Sequence, residues 1–252
     1  MNLKQLIKLT IPRSLHGKIR KIFINPFIET YLFLTDPFVK TYLICSYGGS
    51  GSRILNSFIR HTIIKYRHKV KHVHDKLPPC EPTSVEIKPP KVIYSFSSRK
   101  VNPAGYKVVF IFRYPWEALI SVYRRFGKKH CFNIGGDWER FPETIDEYAR
   151  LGEDIMNYRK CFDAYTKTSG RNYEIICVNY HKMWDNLEAV FKALELPPSA
   201  IQMFPKRAEI KVDISYETMQ KLKEIYKDLG EEIDRFPPVK VTSPSGRNAQ
   251  GL

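Results

Sequence analysis

The residues whose spacing promises chemistry lie at 48–53. Gly48, Gly49, Ser50, Gly51 and Ser52 follow the apolar run TYLICSY (41–47), and Arg53 comes next. Glycines reach backbone conformations closed to other residues and let an anion approach the main chain. A helix opening at Ser52 would add free N–H groups and the positive end of its dipole. Ser50 and Ser52 bring hydroxyl donors and Arg53 a cation, so the expected task is to cradle a phosphate. The cluster is not a Walker A loop, because no Lys follows Gly51. The run VVFIF is followed by Arg113, not by an acid that would help hold magnesium. That argues against a magnesium-dependent nucleotide hydrolase.

A second group lies at 113–121. Arg113 ends the apolar run YKVVFIF (106–112), and Ser121 stands eight residues on. A guanidinium fork with a hydroxyl suits a second phosphate monoester.

The surrounding elements must place these groups. TYLICSY, VKHVH (70–74), KVIYSF (91–96), YKVVFIF and YEIICVNY (173–180) read as strands. Helical spacing follows Ser52, where Ile54, Leu55, Phe58, Ile59, Ile63 and Ile64 share a face. Further helices are expected over 115–126, over one long stretch at 142–168, and in DNLEAVFKALEL and YETMQKLKEIYKDLGEEI. A glycine-rich loop is expected at 127–137. Strands alternating with helices imply an α/β fold, a three-layer α/β/α sandwich with a mostly parallel central sheet. The expected division is a basic N-terminal segment (1–40) packed on the domain, a domain over 41–236, and a mobile tail over 237–252.

The 252 residues carry a net charge of +15, and the only acids from Met1 to Lys71 are Glu29 and Asp36. Such a balance favours anionic partners. No nucleic-acid reader motif appears, so no specific nucleic-acid partner is expected. Five cysteines, none in a CxxC pair, imply a reducing compartment and a cytoplasmic location. No apolar run is long enough for a transmembrane segment.

With these motifs in place, the chain resembles the sulfotransferases that use 3′-phosphoadenylyl sulfate (PAPS). SYGGSGSR looks like their loop for the 5′-phosphosulfate, and FRYPWEALIS like their 3′-phosphate segment. YEIICVNYHKMWDNLEAVFKALELP is similar to their late strand and helix, in which a Tyr, here Tyr180, lies near the adenine. The resemblance runs from about Tyr42 to Pro198. It implies a P-loop-like strand-turn-helix. It also implies transfer of a sulfuryl group from PAPS to a hydroxyl or amine, with PAP as product and no metal. On this resemblance Gly48, Gly49, Ser50, Gly51, Ser52, Arg53, Arg113, Ser121 and Tyr180 bind the nucleotide. Ser52 and Arg53 also stabilise the leaving phosphate. The acceptor is unidentified, and an acidic glycan would suit the basic chain.

The chain departs from the family at two positions. Many members carry Lys or Arg where Gly49 stands, and cytosolic members carry a base His where Phe96 stands. Arg53 is the expected replacement cation. For the base, KHVHD offers His72 and His74 on one strand face, with Asp75 beside them. His74 is favoured because it lies nearer the strand's expected C-terminal end. Glu86 and Lys88 are fallbacks, and His130 sits in a loop expected on the acceptor side. Lys206, Arg207 and Arg247 are further cations for the 3′-phosphate. The alternatives are a catalytically inactive nucleotide-binding relative and a small-molecule kinase with a degenerate P-loop.

Overall fold

The structure, a computed structural model, describes residues 41–66, 69–73, 106–125, 127–167, 173–207 and 214–242. All belong to one compact unit that spans 40–85 and 101–252. KVIYSF and the segment 1–40 lie outside the described residues.

Five strands form one sheet: β1 (Thr41–Cys45), β2 (Lys69–Val73), β3 (Tyr106–Phe112), β4 (Ile175–Asn179) and β5 (Val239–Thr242), in the order β2-β1-β3-β4-β5. The first four run parallel and β5 joins the β4 edge antiparallel. The fold is thus α/β with a mostly parallel open sheet.

The central strands are almost wholly apolar because helices cover both faces. On one face Leu43, Cys45, Val108, Phe110, Phe112, Ile175 and Cys177 pack against α2 (Pro115–Arg125), α5 (Tyr158–Thr166) and the elements around them. On the other, Tyr42, Ile44, Val109, Ile111, Ile176 and Val178 meet α1 (Ser52–Tyr66) and α7 (Leu187–Ala193). Each such fully buried aliphatic or aromatic side chain contributes about 1.5–3 kcal/mol by leaving water. The four described cysteines, Cys45, Cys131, Cys161 and Cys177, are free and buried, packing as small apolar groups.

Three expectations need correction. The stretch at 142–168 is two helices, α4 (Ile145–Leu151) and α5, rather than one. Gly152 takes a left-handed conformation with φ 71°, and the Asp154 carboxylate accepts from Arg159 N at 2.9 Å, opening a new helix. The loop at 127–137 contains a short helix, α3 (Lys128–Asn133). The expected tail at 237–252 is not tail throughout. Val239–Thr242 form β5, where Thr242 Oγ1 and Ile175 bond in both directions across the edge. The residues beyond 242 lie outside the described set.

The remaining helices are α6 (Tyr180–Met183), α8 (Tyr216–Ile225) and α9 (Lys227–Arg235). The strand order matters for function. From β1 the chain steps outward to β2, then returns to the other side of β1 as β3. A crevice opens at such a switch point, at the carboxyl ends of the strands. The glycine turn follows β1, Arg113 follows β3 and Tyr180 follows β4, so all three leave the sheet at this edge.

Candidate functional site

The turn itself is built by glycine. Gly48, Gly49 and Gly51 have φ of 87°, 62° and 78°. A Cβ at Gly49 would lie 2.6 Å from Ala118 O and 2.9 Å from Ser121 Cβ, so the turn seats directly on α2. A Cβ at Gly51 would strike the ring of Tyr180. The turn ends in α1, where Ile54 N bonds Gly51 O at 2.9 Å. The N–H groups of Ser52 and Arg53 precede any intrahelical acceptor, as at every helix start.

A chain of hydroxyls runs beneath the turn. Gly48 N donates to Ser46 Oγ at 3.2 Å, Ser46 Oγ donates to Ser52 Oγ at 3.0 Å, and Ser52 Oγ lies 2.8 Å from His72 Nε2. Ser50 Oγ turns inward and donates to Gly48 O at 2.8 Å. Both Ser50 and Ser52 are buried, and Arg53 is exposed on the first turn of α1.

His74 lies outside the described residues, as do Asp75, Glu86, Lys88, Phe96 and Arg247. His72 reaches Ser52, at the end of the turn. It pairs in register with Ile44, whose side chain packs on the α1 face, and so it points to the start of α1. His130 lies in α3 rather than in an open loop. It is 3% exposed, its ring occupies the space where Gly48 would carry a Cβ, and its Nε2 is 3.1 Å from Tyr47 O.

Arg113 faces the turn. Its Nη1 donates to Gly49 O at 3.2 Å and its guanidinium lies over the Tyr180 ring, 5.1 Å from the centroid. Its Nη2 pairs with Glu117, one helical turn on. Its Nε is buried without an acceptor among the described residues. Burial lowers the pKa of the guanidinium from its ordinary value. Tyr47 fixes the strand end beneath: its hydroxyl donates to Arg113 O and accepts from Arg113 N at 3.1 Å. Burial pushes that hydroxyl's pKa up, which keeps the donor proton in place.

Sequence reasoning did not find the second layer around Arg113. His181 Nε2 is 3.1 Å from Glu117 Oε2, within ion-pair range but out of line for a hydrogen bond. Its Nδ1 is 3.4 Å from Arg207 Nη2, and its ring packs on Tyr114 with centroids 4.4 Å apart. Burial first, then Arg113 and Arg207, lower the His181 pKa to about 4, against a smaller opposing effect of Asp234. His181 is therefore neutral at pH 7, and a neutral ring facing the Arg207 donor through Nδ1 carries its proton on Nε2. Arg207 thus reaches the Arg113 corner, while Lys206 is simply exposed. The i, i+4 spacing of Arg113 and Glu117 was a readable signal for an ion pair; nothing in the local sequence marked His181.

Arg113, Ser121, Tyr180, Ser52 and the glycine turn thus meet at one sheet edge, joined there by His72. Among the described residues no group of three His, Cys, Asp or Glu side chains is placed to hold a metal ion. Nor is any described helix long and apolar enough to cross a membrane. Compared with family models, curated proteins and solved structures, the chain matches none.

Proposed function

We propose that the protein is a sulfotransferase that moves a sulfuryl group from PAPS to a hydroxyl or amine, its turn serving as a P-loop-like phosphate cradle. One observation carries the reading: the Arg113 guanidinium is turned onto the glycine bend, which itself packs against Ser121, at the switch point of the sheet. The donor set fits a nucleotide with two anionic ends. Main-chain amides at the start of α1, with Ser52 and Arg53, suit the 5′ end. Arg113 and Ser121 suit the 3′-phosphate, and the unpartnered Arg113 Nε–H is a donor in need of an oxygen. When bound, PAPS supplies the activated sulfuryl group. The chain's part is to align it, to stabilise charge on the leaving phosphate and to accept the acceptor's proton. His74, the base favoured from the sequence, lies outside the described residues; His72, with Nε2 2.8 Å from Ser52 Oγ, is a described imidazole suited to the proton-accepting role. The basic net charge supports an acidic acceptor such as a glycan.

The test is a calorimetric titration with adenosine 3′,5′-bisphosphate, with and without magnesium. Magnesium-independent binding is expected, and Arg113→Ala should weaken it by about 100-fold, as loss of a charge-assisted pair does. Binding that requires magnesium, or an Arg113→Ala protein that binds like wild type, would refute the assignment.

A second reading, nucleotide binding without transfer, is favoured by Gly49. No Cβ fits there, so the turn has no room for the Lys or Arg that many members carry at this position. Transfer of labelled sulfate from PAPS to an acceptor panel separates the two.

A further inference from the structure

Arg113 is not an open anion site. One edge of its guanidinium, Nη2, is already paired with the Glu117 carboxylate, while Nη1 is bonded to Gly49 O. A phosphate oxygen approaching that edge meets a carboxylate first, and like charges at this separation repel. The same carboxylate oxygen has a second neighbour, His181 Nε2, at 3.1 Å and out of line for a hydrogen bond. A small rotation of Glu117 away from Arg113 brings it into line. We propose that Glu117 is a built-in counter-anion which a phosphate monoester displaces from Arg113, with His181 receiving the displaced carboxylate. The site is thereby made selective for dianionic monoesters. This deepens the sulfotransferase reading and rests on it.

The surroundings are arranged for such an exchange. The charged and titratable groups that face His181 and Glu117 come from several elements, and Asn179 Oδ1 accepts from His181 N at 3.1 Å. Arg113 comes from the end of β3, Tyr114 from the step into α2, and Tyr180 from the start of α6. Arg207 comes from the segment after the 3₁₀ turn at Pro198–Met203, and Asp234 from α9. Asp234 is engaged by the Tyr114 hydroxyl. The two arginines and burial keep His181 neutral, so its Nε2–H can donate to Glu117 with no proton gained or lost from solution. A weak anion gains too little at Arg113 to displace the resident carboxylate. A phosphate monoester, doubly charged and with three acceptor oxygens, can take Nη2 and the unpartnered Nε together.

The experiment compares wild type, Glu117→Gln and Glu117→Ala by titration with adenosine 3′,5′-bisphosphate and, separately, with adenosine 5′-monophosphate, which lacks the 3′ group. Removing the resident charge should tighten bisphosphate binding about 10-fold in both variants, roughly one tenfold step in affinity, and leave the monophosphate unchanged. Bisphosphate binding that is equal or weaker in both variants overturns the proposal and makes Glu117 a residue that positions Arg113. An equal gain for the monophosphate also overturns it, because the effect would then be general charge. Wild-type protein that binds neither nucleotide sinks the sulfotransferase reading first, and this inference with it. Melting temperatures of the variants, expected within a few degrees of wild type, separate lost binding from lost fold.

Discussion

The turn after β1 and the corner after β3 lie at the same edge of the sheet, yet they are built in opposite ways. The turn uses main chain and hydroxyls drawn from eight consecutive residues, Ser46 to Arg53. The corner uses the charged side chains of Arg113, Glu117 and Arg207 and the neutral ring of His181, drawn from four segments. Rigidity follows in the first case from sterics, since neither Gly49 nor Gly51 has space for a methyl group. In the second it follows from charge pairing among side chains. The contrast teaches that one part of a sheet edge can be a fixed mould while the part beside it is held by charge.

If that contrast holds, mutations in the two regions should fail differently. The largest effect is expected at Gly49. Alanine there must adopt a φ near +62° and push against the Ala118 carbonyl, which is backbone and cannot move aside. Urea unfolding should show a loss of about 3 kcal/mol; a variant as stable as wild type would mean that the turn is no fixed mould. Next comes Ser46→Ala, which strands the Gly48 N–H and removes the donor to Ser52. It should cost about 2 kcal/mol in the same assay, since a buried backbone donor is left unpaired.

The smallest effect belongs to the corner and is a pH effect. His181 titrates near 4 when folded, below its ordinary 6.5. The unfolded chain therefore takes up the proton first as pH falls. Stability from this group is complete above pH 6.5, declines between 6.5 and about 4, and changes no further below that. After discounting for partial solvent exposure, the decline is about 1 kcal/mol. His181→Asn should flatten that limb of the stability profile. An unchanged limb would show that the proton goes elsewhere and that the corner is not balanced around a neutral ring.

The same difference explains what was legible beforehand. The turn was readable because its requirement is local: glycines at 48, 49 and 51 between an apolar strand and a helical period. Arg113 and Ser121 were readable for the same reason, as the end of one strand and the inner face of the next helix. His72 was visible as one of two histidines on a strand face, but its contact with Ser52 was not. That contact is set by the pairing of His72 with Ile44, a register between strands that composition does not encode. β5 was missed because VKVT is short, bears a lysine and follows two prolines. It becomes a strand through the free edge of β4, not through its own propensity. The split at Gly152 was overlooked although a glycine marked it, because helical spacing resumes soon after it.

The phenol of Tyr47 has a consequence for motion. With one oxygen it holds both the carbonyl and the amide of Arg113, stitching the loop that leaves the first strand to the tip of the third. The crevice therefore cannot widen by splaying those two strands without tearing both bonds from a group sealed inside the protein. What freedom this edge keeps belongs to the side chains around that stitch, not to the two strands it joins.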